Sequence, residues 1–165
     1  MSGKNGLFWD AIVTCSGSGG THTGLLTGLR ACGYETPVLG ISVRFDAAKQ
    51  AERIHTQCQK CVDTYFGNSC EYFKKNDGLI PVEDVVVKDD YVGEGYSLYT
   101  KEMAEAVQLF ARLESMILDP VYTGKAAAGL IDFVRKGKFT QDQRILFIHT
   151  GGAPSTYHYQ PLPQK

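Results

Sequence analysis

The residues best placed to do chemistry are Gly17, Ser18, Gly19, Gly20 and Thr21, within AIVTCSGSGGTHTGLLTGL over residues 11–29. An apolar, strand-like stretch leads into a glycine turn with hydroxyls, and a helical pattern follows. Such a turn offers free main-chain N–H groups and the positive end of a helix dipole, which suits an anion and above all a phosphate. The glycines let the backbone turn tightly and approach a ligand closely. Ser18 and Thr21 add hydroxyl donors. A second glycine turn, Thr150-Gly151-Gly152-Ala153-Pro154, follows the apolar run RILFIH at 144–149. In open α/β sheets ligands bind beyond the carboxyl ends of the strands. The two turns are therefore expected on one sheet edge, flanking one ligand.

Spacing discriminates among phosphate ligands. A Walker loop requires Gly, four residues, then Gly-Lys-Ser/Thr. Gly19 is followed at that distance by Gly24, but the next residue is Leu25 and the lysine is missing. A dinucleotide loop requires Gly-x-Gly-x-x-Gly; Gly17 and Gly19 comply, and His22 stands where the third glycine belongs. The acidic residue that would hold a ribose is absent after the second strand, where Arg44 leaves an NADP reading open. A compact phosphate ester held by loop amides and hydroxyls fits better than either nucleotide.

The elements that would position these groups can be read from periodicity and caps. Residues 11–15 form a buried strand, 21–32 a helix closed by Gly33, and 38–43 a second buried strand. Asp46 caps a long helix over about 47–66. A short edge strand falls around Val85-Val86-Val87, within 80–92. The glycine- and tyrosine-bearing segment 92–99 is a loop. Thr100 caps a helix that Asp119-Pro120 stops, Thr123 caps a helix over 124–136, and Gly137 closes it. Residues 144–149 are a strand. Alternating strands and helices predict one α/β domain over 1–165, a mostly parallel sheet with helices on both faces. Residues 160–165 are expected to fray.

Composition sets the class. At 165 residues the chain is long enough for a sizeable core. A net charge of -1 supplies no electrostatic ground for a nucleic acid or an anionic membrane as partner. No apolar run reaches the ~18 residues of a membrane span, and MSGKNGLFWD lacks the apolar stretch of a secretory signal. Five cysteines, an odd number scattered along the chain, suit a reducing cytoplasm. Cys58 and Cys61 form a lone CxxC in a helical pattern without a second pair, so no metal site is expected. His22 is read as a first-turn residue, His149 as packing at a strand end, and Tyr91, Tyr96 and Tyr99 as loop packing.

Three motifs in order, SGSGGTHTGLLTGL, EMAEAVQLFARLESMILDPVYTGKAAAGLIDFVRKGKF and RILFIHTGGAP, resemble the C-terminal half of the 1-aminocyclopropane-1-carboxylate deaminase/D-cysteine desulfhydrase family. The resemblance spans about residues 8–159. It implies the large-domain portion of a tryptophan-synthase-β-like (fold type II) enzyme with pyridoxal 5′-phosphate as cofactor. It implies that Gly17, Ser18, Gly19, Gly20 and Thr21 cradle the cofactor phosphate. Thr150 would lie near the pyridine nitrogen, and Tyr122 would take part in the chemistry beside a small amino-acid substrate. A neutral hydroxyl donates to an unprotonated ring nitrogen, leaving a milder electron sink suited to eliminating a β-substituent.

The family's deaminases carry Glu where this chain has Thr123, which favours desulfhydration, D-cysteine going to pyruvate, hydrogen sulfide and ammonia. Relatives often carry Pro at the position of Tyr99. The family's Schiff-base lysine and serine-bearing substrate loop belong to its N-terminal half and match nothing here; Lys125 matches a family lysine at a helix start. The resemblance therefore implies a truncated chain, inactive alone, forming a homodimer or pairing with the missing half. Two alternatives stand beside this lyase: a non-catalytic phosphate- or pyridoxal-phosphate-binding relative, or a deaminase-like protein. A nucleotide enzyme using Arg44 is a third.

Overall fold

The computed structural model describes residues 8–67 and 70–158; the expected frayed tail lies outside them. Strand β1 is Ala11–Ser16, β2 Val38–Ser42, β3 Val86–Lys88 and β4 Ile145–Ile148. All pairings are parallel, in the order β3-β2-β1-β4. Every residue of β1 is buried. This is the pattern of a central strand covered on both faces, and it explains the unbroken apolar reading of AIVTC.

Helix α1 is Gly20–Ala31, α2 Ala47–Cys61, α3 Glu71–Lys75, α4 Lys101–Glu114 and α5 Thr123–Arg135. They form two layers. Val13, Cys15, Ile41 and Val43 meet α4 and α5 through Met103, Val107, Ala127 and Phe133. Ile12, Val38 and Val87 meet α1 and α2 through Leu26, Ile54 and Cys58. Alternate strand residues thus feed opposite cores, as the two-residue period of a strand dictates. Gly129 lets α5 approach β2, since a Cβ there would lie 2.8 Å from Ile41 Cδ1.

Several boundaries differ from the sequence expectation. α2 is α-helical only to Cys61 and continues as a π turn over Val62–Phe66. Gly67 then ends it by donating to the Val62 carbonyl at 2.7 Å. α4 stops at Glu114, well before Asp119-Pro120, because Ser115 takes the left-handed conformation (φ 55°) and Met116 N–H returns to the Phe110 carbonyl. The edge strand is only three residues long. The Asp46 and Thr100 caps form as read, donated to by Lys49 N and Met103 N. No helix among the described residues is long and apolar enough to cross a membrane.

Candidate functional site

The strand order places the site. From β1 the chain moves outward to β2 and β3, then returns to the other side of β1 as β4. The β1/β4 junction is therefore the topological switch point, where the connections leaving the two strands diverge and open a crevice at their carboxyl ends. The glycine turns after β1 and β4 both open there. They line one cavity of about 360 Å³ with Cys15, Gly17, Ser18, Gly19, Gly20, Thr21, Tyr122, Thr150, Gly151 and Gly152. Among the described residues, no lysine lines it.

The first turn is held in a form only glycine tolerates. Gly19 is the N-cap of α1 with φ 100°, a left-handed conformation that costs other residues roughly 1–2 kcal/mol. A Cβ there would also lie 2.6 Å from both Gln57 Oε1 and Ile54 Cδ1. At Gly17 a Cβ would press on the Tyr122 ring and Val43 at 3.2 Å. No side chain caps α1, so its first N–H groups remain available to a ligand. Beneath the turn, His22 is fully buried and Ser16 Oγ lies 3.2 Å from its Nδ1. Burial lowers the His22 pKa to about 4, which keeps the imidazole neutral. Gly40 leaves room for that ring: a Cβ there would sit 2.2 Å from Nδ1.

Tyr122 is carried by the turn entering α5. Thr123 was expected to cap that helix; Asp119 does so instead. Its Oδ2 accepts from Val121 N and Tyr122 N at 2.8 and 2.7 Å, and its Oδ1 accepts from Thr123 N and Thr123 Oγ1 at 2.8 and 2.7 Å. Thr123 Oγ1 in turn accepts from Asp119 N at 2.9 Å. The carboxylate reaches three N–H groups at once because the residues between it and the helix curl around it. It also lies close against the second turn, since a Cβ on Gly152 would fall 2.8 Å from Asp119 Cγ. The sequence reading missed this role. The available signal was an Asp just ahead of a helical run, the ordinary mark of a cap.

The Tyr122 hydroxyl meets the Tyr96 hydroxyl, with the rings edge to face at 5.9 Å between centroids. This contact, together with burial, pushes the Tyr122 phenol up to about 12. Tyr96 is held by its loop, and the loop by Lys125, a fully buried lysine whose Nζ donates to the carbonyls of Val92 and Gly95 at 2.6 and 3.0 Å. Burial lowers the Lys125 pKa. Across the cavity, Thr150 Oγ1 lies 3.1 Å from Cys15 Sγ. Burial pushes the Cys15 thiol up, so at neutral pH it is a thiol rather than a thiolate, and either group can donate in this contact. Cys15 was read only as the end of a strand. Its place in the cavity follows from the pleat, which turns it onto the face shared with Tyr122 and α5.

The remaining candidates lie elsewhere. Arg44 is exposed and stacks over Phe45 and Tyr96 at 5.0 and 5.7 Å. His149 is half-buried directly after β4, with Nε2 at 3.0 Å from the Ile117 carbonyl and Nδ1 accepting from Gly151 N. Tyr91 belongs to the core and donates to Asp132 at 2.5 Å, while Tyr99 is exposed. Cys58 faces the α1–α2 core.

Comparison with known proteins agrees with this geometry. A solved structure of an ACC deaminase homologue superposes with a TM-score of 0.75 at 34% identity, covering 92% of this chain and 42% of that one. The chain thus spans less than half the length of that relative. Residues 6–151 match the family described as pyridoxal-phosphate dependent enzymes. With nine-tenths of the chain aligned to a member's fold and the family match running from before the first glycine turn into the second, the chain belongs to the pyridoxal-phosphate dependent enzyme family.

Proposed function

We propose that the cavity receives pyridoxal 5′-phosphate, its phosphate on the residue 17–21 turn and its ring nitrogen toward Thr150. The observation that carries this reading is the convergence of two glycine turns around one space beside Tyr122. The residues fit the group. A cavity of about 360 Å³ suits a small organic ligand. The uncapped start of α1 offers N–H groups to a phosphate. Thr150 brings a hydroxyl to the cavity lining beside Cys15, a group able to donate to an acceptor placed there. The bound cofactor supplies an electron sink for a carbanion at Cα of an amino acid.

The reaction we assign to the complete enzyme is β-elimination. D-cysteine and water give pyruvate, hydrogen sulfide and ammonia as the C–S bond breaks. Tyr122 retains its proton at neutral pH, which suits it to protonate a departing thiolate. Tyr96 orients that hydroxyl, and Asp119 and Lys125 fix the segments that carry the two tyrosines. The present chain supplies the phosphate cradle, the ring contacts and this acid.

A deaminase acting on 1-aminocyclopropane-1-carboxylate is the second reading, favoured by the likeness to an ACC deaminase homologue. Thr123 bears on the choice only indirectly, because its side chain is spent on Asp119 and does not line the cavity. Calorimetric titration of the chain with pyridoxal 5′-phosphate, with inorganic phosphate as competitor, tests the cofactor reading; binding that phosphate does not displace would refute it. Assaying the full-length enzyme for sulfide from D-cysteine and for ammonia from the cyclopropane substrate separates the two reactions.

A further inference from the structure

Two glutamines of α2 reach the back of the phosphate turn. Gln50, fully buried, donates from Nε2 to Ser16 Oγ at 2.9 Å and to the Gly17 carbonyl at 3.0 Å. Its Oε1 has no protein partner, so its amide is committed to the loop at the cost of an unsatisfied oxygen. Gln57, two turns further on, donates from Nε2 to the Ser18 carbonyl at 2.9 Å. Its Oε1 accepts from Thr23 Oγ1 at 3.1 Å, and that bond decides which end of the amide faces the loop.

In a trans peptide C=O and N–H point in opposite directions, and no peptide bond here is cis. Turning the Gly17 and Ser18 carbonyls toward α2 therefore turns the next N–H groups, those of Ser18 and Gly19, away from it. Helix α2 contributes no residue to the cavity lining, so the loop stands between that helix and the cavity. The geometry points to Gln50 and Gln57 as positioning residues that aim the Ser18 and Gly19 amides at the ligand's phosphate. This inference rests on the cofactor reading proposed above. Glycine's freedom lets the turn adopt many conformations; the glutamines select the one that binds.

The test is calorimetry on the full chain with two probes, inorganic phosphate and pyridoxal 5′-phosphate. Gln57→Met removes the donor and keeps the length. Gln59→Met is the control, since Gln59 Nε2 likewise donates to a backbone carbonyl, that of Gly78 at 2.8 Å, away from the cavity. We expect Gln57→Met to weaken both probes roughly tenfold or more, as loss of an aimed hydrogen bond to a charged group should, and Gln59→Met to stay within about twofold. Gln57→Glu, which keeps the Thr23 contact and replaces the donor by an acceptor, weakens binding at least as much and serves if the methionine variant misfolds. Unchanged affinity in the Gln57 variants, or an equal loss in Gln59→Met, overturns the positioning role and leaves the cavity reading standing. If the wild-type chain binds neither probe, the cavity reading itself falls and takes the inference with it.

Discussion

Replacing Asp119 by Asn removes one oxygen from a carboxylate with four donors. The amide must turn its Nδ2 one of two ways. Toward Val121 and Tyr122 it would face two main-chain N–H groups and orphan both. Toward Thr123 it orphans one N–H and forces the hydroxyl to reverse, while the other two bonds lose their charge assistance. The second arrangement is cheaper. One orphaned buried donor costs about 1–3 kcal/mol, and charge-assisted bonds exceed neutral ones by roughly 1 kcal/mol. A loss near 3 kcal/mol follows, a large share of the ~5–15 kcal/mol of a typical domain. With an m-value of roughly 2 kcal/mol per molar urea, the unfolding midpoint falls by about 1.5 M at unchanged m. A shift below about 0.5 M would refute the claim that this carboxylate organises the Tyr122 turn.

Tyr96→Phe removes the phenol that raises Tyr122, so ultraviolet titration should find the Tyr122 ionisation moving from about 12 toward 10; no movement refutes the contact. His22 is held to about 4 against an ordinary 6.5, so the unfolded chain takes up its proton first as pH falls. Stability is then fully present above pH 6.5 and is lost toward pH 4, by about 3 kcal/mol; urea titrations of His22→Asn should show a smaller loss across that window. Lys125→Met strips two donors from the 92–95 carbonyls and lowers the melting temperature. Borohydride treatment with pyridoxal 5′-phosphate followed by peptide mass spectrometry leaves Lys125 unlabelled; a label there would contradict its burial against those carbonyls.

Much of the fold was legible because it rests on local physics. Apolar runs of strand length, the Asp46 and Thr100 caps, and Gly33 and Gly137 at positive φ are each written within a few residues. Where the reading slipped, the boundary was set by a residue whose type does not announce it. The end of α4 lies at a serine with no strong stop signal, and α5 is capped from four residues upstream by a carboxylate read as a helix stop. At the site, the glycine turn announces its own chemistry, but Cys15, Tyr96, Gln50 and Gln57 carry no such signature.

Local sequence thus determined the parallel α/β architecture and the presence of an anion-ready turn and a second glycine turn, because strand alternation, helix caps and glycine conformations are set by near neighbours. Tertiary structure alone decided that the two turns share one cavity, that Lys125 holds the loop bearing Tyr96 against Tyr122, and that α2 aims the loop amides. Those facts depend on strand order and on side chains meeting across 26–41 residues or more, as with Tyr96 and Tyr122 or Tyr91 and Asp132. Such contacts are selected by the packing of the whole core, and no short stretch of sequence encodes them.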